Sequence, residues 1–118
     1  MIGSFVTTVL QASPFTRGGT VLTPTTAINI VVWQALFPCT VTNVRGYTAD
    51  ATGTVVNALH GALPLLVSNL TLSSAGVWID GGSVQNAIFS AGDVLYLQIV
   101  SVGGNPSQIA IQVDFTRP

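Results

Sequence analysis

Charged residues are scarce in this sequence. Only 6% of the 118 residues are charged, against about 25% in a typical globular domain. There is no lysine and no glutamate, three arginines stand against four aspartates, and the net charge is −1. Proteins that bind nucleic acid neutralise phosphates with clustered lysines and arginines. The composition therefore argues against a nucleic-acid partner.

The lack of lysine also bears on assembly. Lysine at a sheet edge prevents unwanted strand pairing, and surface charge keeps small domains apart in solution. With 48% hydrophobic residues and so little charge, we expect part of the surface to be covered by partner chains. The expected state is a homo-oligomer, with a trimer favoured.

Cysteine, long apolar runs and signal-peptide features are equally sparse. Cys39 is the single cysteine, so it cannot form an internal disulfide and has no CxxC partner for a metal site; it is expected to be a small buried hydrophobe. No run approaches the ~18 apolar residues of a membrane span. The N-terminus lacks the basic start of a signal peptide. We expect cytoplasmic synthesis and no membrane partner.

What the sequence does contain is a series of short stretches in which apolar and polar residues alternate. The pattern is clearest at 94–102 and 109–115, with the turn-forming Gly103-Gly-Asn-Pro106 between them. Alternation of this kind is typical of β-strands. It predicts a long β-hairpin whose first strand lies centrally in a sheet.

Further strands are predicted at intervals of about ten residues. Gly61 is suited to a positive φ in the turn after His60, and Gly46 to a β-bulge. No stretch has the 3.6-residue period of a helix. The prediction is an all-β fold, an antiparallel, jelly-roll-like β-sandwich of about eight strands. The remaining predicted strands are 4–10, 27–35, 39–48, 54–59, 63–68, 77–79 and 83–89.

Residues 1–26 differ from the rest of the chain. They contain Pro14, Pro24 and Gly18-Gly19, which interrupt regular strands. The sequence therefore predicts an N-terminal strand and an irregular, extended arm at 1–26, followed by a sandwich domain at 27–118. Apolar residues in the arm leave two alternatives open: the first strand folds back on its own sandwich, or the arm reaches a neighbouring subunit.

No set of residues predicts catalysis. His60 is the single histidine and is expected in a solvated turn, without a nearby carboxylate or second ligand. Asp50, Asp80 and Asp93 adjoin glycine or small residues, where aspartate caps turns; a calcium or magnesium ion between two such turns is the alternative. There is no Gly-x-Ser-x-Gly nucleophile elbow. We expect no enzyme activity, no cofactor and no metal site.

Three residues have two interpretations each. Arg45 interrupts an apolar strand, so it is expected to pair with an aspartate of its own chain or with a partner subunit. Trp33 and Trp78 lie within apolar strands, which favours burial in the core. Exposed tryptophans would instead serve as platforms for a sugar ring.

Three segments resemble small virion proteins of tailed bacteriophages. They are Trp33–Tyr47, which contains Cys39-Thr-Val41; Val77–Asp93, which ends in the turn Gly92-Asp93; and Ile109–Phe115, which ends in Gln112-Val-Asp-Phe115. The resemblance covers about residues 28–115. It implies a β-sandwich module of the kind that decorates capsids or forms part of a tail.

Together with the low charge and the lack of a catalytic set, this resemblance implies a capsid decoration, or cement, protein on the outer surface of a bacteriophage virion. Its partner would be the lattice of the major capsid protein, which it would bind and stabilise. The residues expected to contact the capsid or neighbouring subunits are Phe5, Val6, Phe15, Arg17, Arg45 and Arg117. The alternative is a tail fibre or spike module that binds host surface glycan through Trp33, Trp78, Tyr47 or Tyr96.

Overall fold

The computed structural model describes residues 13–118. These residues form ten β-strands joined by turns and loops, and they contain no helix. The predicted strand at 4–10, with Phe5 and Val6, lies outside these residues. The strands are β1 Ser13–Leu22, β2 Ile28–Gln34, β3 Cys39–Thr48, β4 Val55–His60, β5 Leu63–Pro64, β6 Leu70–Thr71, β7 Ile79–Asp80, β8 Ile88–Phe89, β9 Val94–Ser101 and β10 Gln108–Arg117.

The strands form two antiparallel sheets that enclose one core. The first sheet has the order β1-β10-β3-β7, with β8 also paired to β3. The second has the order β2-β9-β4-β5, with β6 also paired to β4. β5 and β6 both pair with β4, and β7 and β8 both pair with β3, so each of these two pairs of short strands occupies one place in the strand order of its sheet. The ten strands therefore fill eight places, four in each sheet. Most successive positions lie in opposite sheets, as in a jelly roll, and the predicted antiparallel β-sandwich is confirmed.

The predicted hairpin at the end of the chain is wrong, although both of its strands exist. β9 lies between β2 and β4 in the second sheet, as its predicted central position requires, whereas β10 lies between β1 and β3 in the first. Each strand buries one face in the core that the two sheets share. A period-two pattern identifies the buried face of a strand but not its hydrogen-bonded neighbour. Both arrangements therefore fit the sequence.

β1 is more regular than the sequence predicts. Its ten residues pair with β10 along their whole length. Gly18 allows this close pairing, because a Cβ at that position would overlap the carbonyl oxygen of Ile111. Residues 13–22 therefore belong to the sandwich and not to an irregular arm. Phe15 and Val21 of this segment pack on their own sandwich, whereas the predicted first strand at 4–10 lies outside the described residues, so its two alternatives stay predictions.

A β-bulge in β3 changes which side chains face the core. The pairing with β10 shifts by one residue at Thr42, and the buried positions change from odd-numbered before the shift to even-numbered after it. The bulge predicted at Gly46 is therefore misplaced. The space at Gly46 is tight for a different reason, since a Cβ there would lie 2.8 Å from a methyl group of Leu72, which would have to shift.

A second bulge lies in β2. The pairing with β9 shifts at Val32, so Val32 and Trp33, which are neighbours in sequence, both pack against the core. Strict alternation would place them on opposite faces. The bulge thus brings the Trp33 side chain to the interior.

The core between the sheets consists of aliphatic side chains and two fully buried phenylalanines, Phe89 and Phe115. Burial of one large apolar side chain contributes about 1.5–3 kcal/mol relative to exposure. Cys39 is also in this core at 2% exposure, as predicted, and its burial raises the pKa of the thiol.

Candidate functional site

One side of the sandwich is formed by β1 and β2, the outermost strands of the two sheets. The two strands are adjacent, since the ring centroids of Phe15 and Trp33 are 5.7 Å apart. Within residues 13–118, β1 pairs with β10 alone and β2 with β9 alone. Among the described residues, each strand therefore has one side of its backbone without a paired strand. We call this surface the β1–β2 edge.

The β1–β2 edge is apolar and almost free of charge. β2 contains no charged residue, and Arg17 is the only one in β1. Lysine and glutamate, which protect a long edge from pairing with another chain, are absent from both strands. The one charge, Arg17, lies on the inner face of β1 with Phe15 and stacks on the rings of Phe15 and Trp33. The exposed apolar side chains of the two strands are Leu22 at 70%, Ile28 at 44% and Val31 at 59% exposure, and Leu36, in the loop after β2, is 78% exposed.

Two of the arginines stack on aromatic rings beside this edge. The guanidinium carbon of Arg17 lies 5.0 Å from the ring centroid of Phe15 and 5.2 Å from that of Trp33. That of Arg117 lies 4.0 Å from the centroid of Phe37. Such contacts contribute about 0.5–2 kcal/mol. The structure thus brings Phe15, Arg17 and Arg117 together through contacts within the chain, and their role in binding a neighbour stays a prediction.

Arg45 lies on the outer face of the first sheet, where it forms an ion pair with Asp114 of the same chain. Asp114 also accepts a hydrogen bond from Oγ1 of Thr16 at 2.8 Å. Asp80, opposite Arg45 in the neighbouring strand, accepts a hydrogen bond from the Asn43 amide at 3.0 Å. Of the two pairings that the sequence left open for Arg45, the structure has the one within the chain.

The two tryptophans have different environments. Trp33 packs against the core, as predicted. The same prediction is wrong for Trp78, which is 43% exposed and lies 5.2 Å from Tyr47, centroid to centroid. Trp78 precedes β7, a two-residue strand at the margin of the first sheet, so its side chain is not enclosed between the sheets. Tyr96 is on β9 of the second sheet, so only Tyr47 and Trp78 of the four aromatic residues come together, with Trp78 exposed and Tyr47 partly buried.

His60 is not the solvated turn residue that the sequence predicts. It ends β4, and its side chain is 19% exposed. Nε2 lies 2.8 Å from Oδ2 of Asp93, Nδ1 lies 2.8 Å from the carbonyl oxygen of Asn86, and the ring stacks on Phe89 with centroids 3.9 Å apart. Asp93 is 33 residues and Asn86 is 26 residues from His60 in the sequence, so no local motif could reveal these contacts. Because both ring nitrogens are engaged, His60 serves to tie β4 to the segments on either side of β8.

Asp50 and Asp93 cap turns, as predicted. Oδ1 of Asp50 accepts hydrogen bonds from the backbone N–H groups of Ser107 at 2.9 Å and Ala51 at 2.8 Å. Oδ2 of Asp93 accepts one from the N–H of Ser90 at 2.9 Å. Hydrogen bonds to a carboxylate favour its charged form. The backbone bonds from Ser107 and Ser90 are the main reason that the pKa of each aspartate lies below its ordinary value of 3.8.

The fold is expected to lose stability in acid partly through Asp50. A carboxylate whose pKa is lower in the folded chain stabilises the fold above its unfolded pKa, and this stabilisation is lost as the pH falls through the folded pKa. The Asp50→Asn variant keeps an acceptor oxygen but does not titrate. Its free energy of unfolding should therefore fall less steeply than that of the wild type below about pH 4. Urea unfolding between about pH 2 and 6 measures both slopes, and equal slopes would contradict the assignment.

Within residues 13–118, no cluster of three or more histidine, cysteine, aspartate or glutamate side chains could hold a metal ion. The same part of the chain contains no helix that could span a membrane.

No known family model matches this chain, and no curated protein matches it. The resemblance to bacteriophage virion proteins therefore rests on the residues that carry it, and the function that it implies is a proposal.

Proposed function

We propose that this chain is a structural protein of a bacteriophage virion, a decoration or cement protein that binds the outer capsid surface and stabilises the lattice of the major capsid protein. The observation that carries the proposal is the β1–β2 edge, which combines the adjacent edge strands of the two sheets with exposed apolar side chains. Such edges bind other chains by strand addition. The choice of a capsid as partner rests on the resemblance of residues 28–115 to virion proteins.

The opposite side of the sandwich supports a closed ring of copies. A cyclic trimer joins two different patches on successive subunits, whereas a two-fold dimer uses one self-complementary patch. The strands β5, β6, β7 and β8 occupy the margin opposite β1 and β2. Two apolar margins on opposite sides of one domain fit a ring better than a two-fold dimer, and we propose that the ring is a homotrimer. The exposed apolar residues of the second margin are Leu63 at 53%, Val67 at 59% and Ile88 at 76%.

The proposed contact surface differs from the six residues that the sequence singles out. Phe15, Arg17, Arg45 and Arg117 have partners within the chain, so they stabilise the sandwich and support its edge. The exposed apolar side chains of the β1–β2 edge become the principal contacts. Phe5 and Val6 belong to residues 1–12, which we retain as the proposed arm toward a neighbour.

Decoration of this kind works by binding alone. A copy that spans two capsid subunits adds interface that must be broken before those subunits can separate. Stable protein interfaces bury about 1,200–2,000 Å² in total, and strand addition contributes backbone hydrogen bonds to such an interface without needing charged side chains. This agrees with the sparse charge of the chain.

The proposal is tested by binding to capsid shells of the encoding phage that lack this chain. The full-length protein should co-sediment with the shells and saturate at a fixed ratio to the major capsid protein. A chain that begins at Ser13 keeps every described strand, so it should fold but bind at least about tenfold more weakly. Absence of saturable binding by the full chain would overturn the proposed function. Undiminished binding by the shortened, folded chain would overturn only the role of residues 1–12.

A further inference from the structure

The outer face of the first sheet carries a groove beside the exposed Trp78 and its neighbour Tyr47. Three rows of residues cross this face from β1 through β10 to β3. The rows are Thr20, Ala110 and Tyr47; Gly18, Gln112 and Arg45; and Thr16, Asp114 and Asn43. A groove of about 340 Å³ lies over β1 and β10, and we call it the Trp78 groove. Its lining includes Thr16, Gly18, Thr20, Trp78, Ala110 and Gln112.

The groove owes its shape to a floor of small residues and an aromatic wall. Gly18 and Ala110 have almost no side chain, and Gly18 cannot be enlarged because a Cβ would overlap the Ile111 carbonyl oxygen. The indole of Trp78 lies beside them and packs against the ring of Tyr47, with an angle of 41° between the two ring planes. The volume is at the small end of the range of about 300–1,000 Å³ for ligand sites. This space suits a small, flat ligand.

The polar groups of the groove are neutral. Thr20 offers a hydroxyl group, and Gln112 offers an amide that both donates and accepts hydrogen bonds, whereas the Thr16 hydroxyl donates to Asp114 and is left as an acceptor. The nearest charges, Arg45 and Asp114, are paired with each other. The combination of an exposed indole with uncharged donors and acceptors matches a ligand that has an apolar ring face and a rim of hydroxyl groups.

We propose that the Trp78 groove binds a neutral saccharide. One face of a sugar ring packs on the Trp78 indole, while the Gln112 amide and the hydroxyl of Thr20 form hydrogen bonds with its hydroxyl groups. The groove is on the face of the first sheet, whereas the β1–β2 edge presents the margin of both sheets. The groove and the edge share strand β1, but the saccharide site is argued from the lining of the groove alone and does not depend on the proposed function.

Tryptophan fluorescence tests the site directly because the chain has only two tryptophans. In the Trp33→Phe variant, Trp78 is the sole indole, so a sugar that stacks on it should change the emission in a saturable way. The probes are glucose, galactose, mannose, N-acetylglucosamine and their short oligomers, with sialic acid and a sulfated galactose as anionic comparisons. We expect a dissociation constant on the order of 1 mM for at least one neutral probe. Saturation-transfer NMR on the wild-type chain makes the same measurement without a substitution.

Two groove variants and one matched control decide the outcome. Trp78→Ala and Gln112→Ala should weaken binding, by at least about tenfold and about threefold respectively. Thr52→Ala, at an exposed turn outside the groove, should bind like the wild type. The proposal is overturned if no neutral probe binds saturably, if the anionic probes bind better, or if both groove variants keep full affinity while their circular dichroism is unchanged.

Discussion

Replacing Val31 by lysine is expected to convert an associated protein into a monomer. Val31 lies within β2, is 59% exposed, and belongs to a strand without any charge. A lysine on an edge strand opposes pairing, because its ammonium group would have to be desolvated in the interface. Self-association should weaken about 100-fold, or about 2.8 kcal/mol. Since the residue is exposed in one copy, the stability of the isolated domain should change by less than about 0.5 kcal/mol.

Light scattering after size-exclusion chromatography, over a dilution series, measures this change. Thr52→Lys adds the same charge at an exposed turn and should associate like the wild type. Val67→Lys places it on the opposite margin at a position with the same 59% exposure. A ring of copies uses both margins, so the Val67→Lys variant should break it. A two-fold dimer that uses only the β1–β2 edge should stay intact in the same variant. A wild-type protein that stays monomeric, or a Val31→Lys variant that associates normally, would contradict the account.

Replacing Phe115 by alanine should produce the largest loss of stability. Phe115 is fully buried, and its ring lies 5.1 Å from Phe15, 5.2 Å from Trp33 and 5.3 Å from Phe89, centroid to centroid. Removing it leaves a cavity where the two sheets and the β1–β2 edge meet. Substitutions of this kind cost about 3–5 kcal/mol, a large share of the total of about 5–15 kcal/mol for a domain.

Urea unfolding at one fixed protein concentration measures this cost, because association adds to apparent stability. Val77→Ala removes an apolar side chain that is 50% exposed and should cost less than about 0.5 kcal/mol. A loss below about 1.5 kcal/mol for Phe115→Ala would show that the aromatic cluster does not hold the sheets together as the structure indicates.

The parts of this fold that depend on local pattern could be predicted from the sequence. β3 runs from Cys39 to Thr48, as predicted, because alternating apolar residues define its inner face. The turn after His60 contains Gly61 at a φ of 62°, the conformation for which glycine was expected. Ten-residue spacing and turn residues were enough to predict an antiparallel sandwich.

The parts that depend on distant residues could not be predicted. β9 pairs with β2 and β4, and β10 pairs with β1 and β3. A period-two pattern does not encode these partners, so the sequence could not show that the two strands lie in different sheets. The bulges at Thr42 and Val32 shift the register without a glycine to mark them. His60 finds Asp93 only through the fold. The sequence names Trp78 and Tyr47 only as one alternative among four aromatic residues, and it does not identify β1 and β2 as edge strands, because both properties are defined by what lies beside them in the fold.

The proposal that this chain assembles on a bacteriophage capsid through its β1–β2 edge can be tested by cryo-electron microscopy of purified particles of the phage whose genome carries the sequence. We expect density for the sandwich on the outer capsid surface, with β1 and β2 against a neighbouring chain. Density confined to the tail, or a β1–β2 edge that faces solvent in every copy, would contradict it.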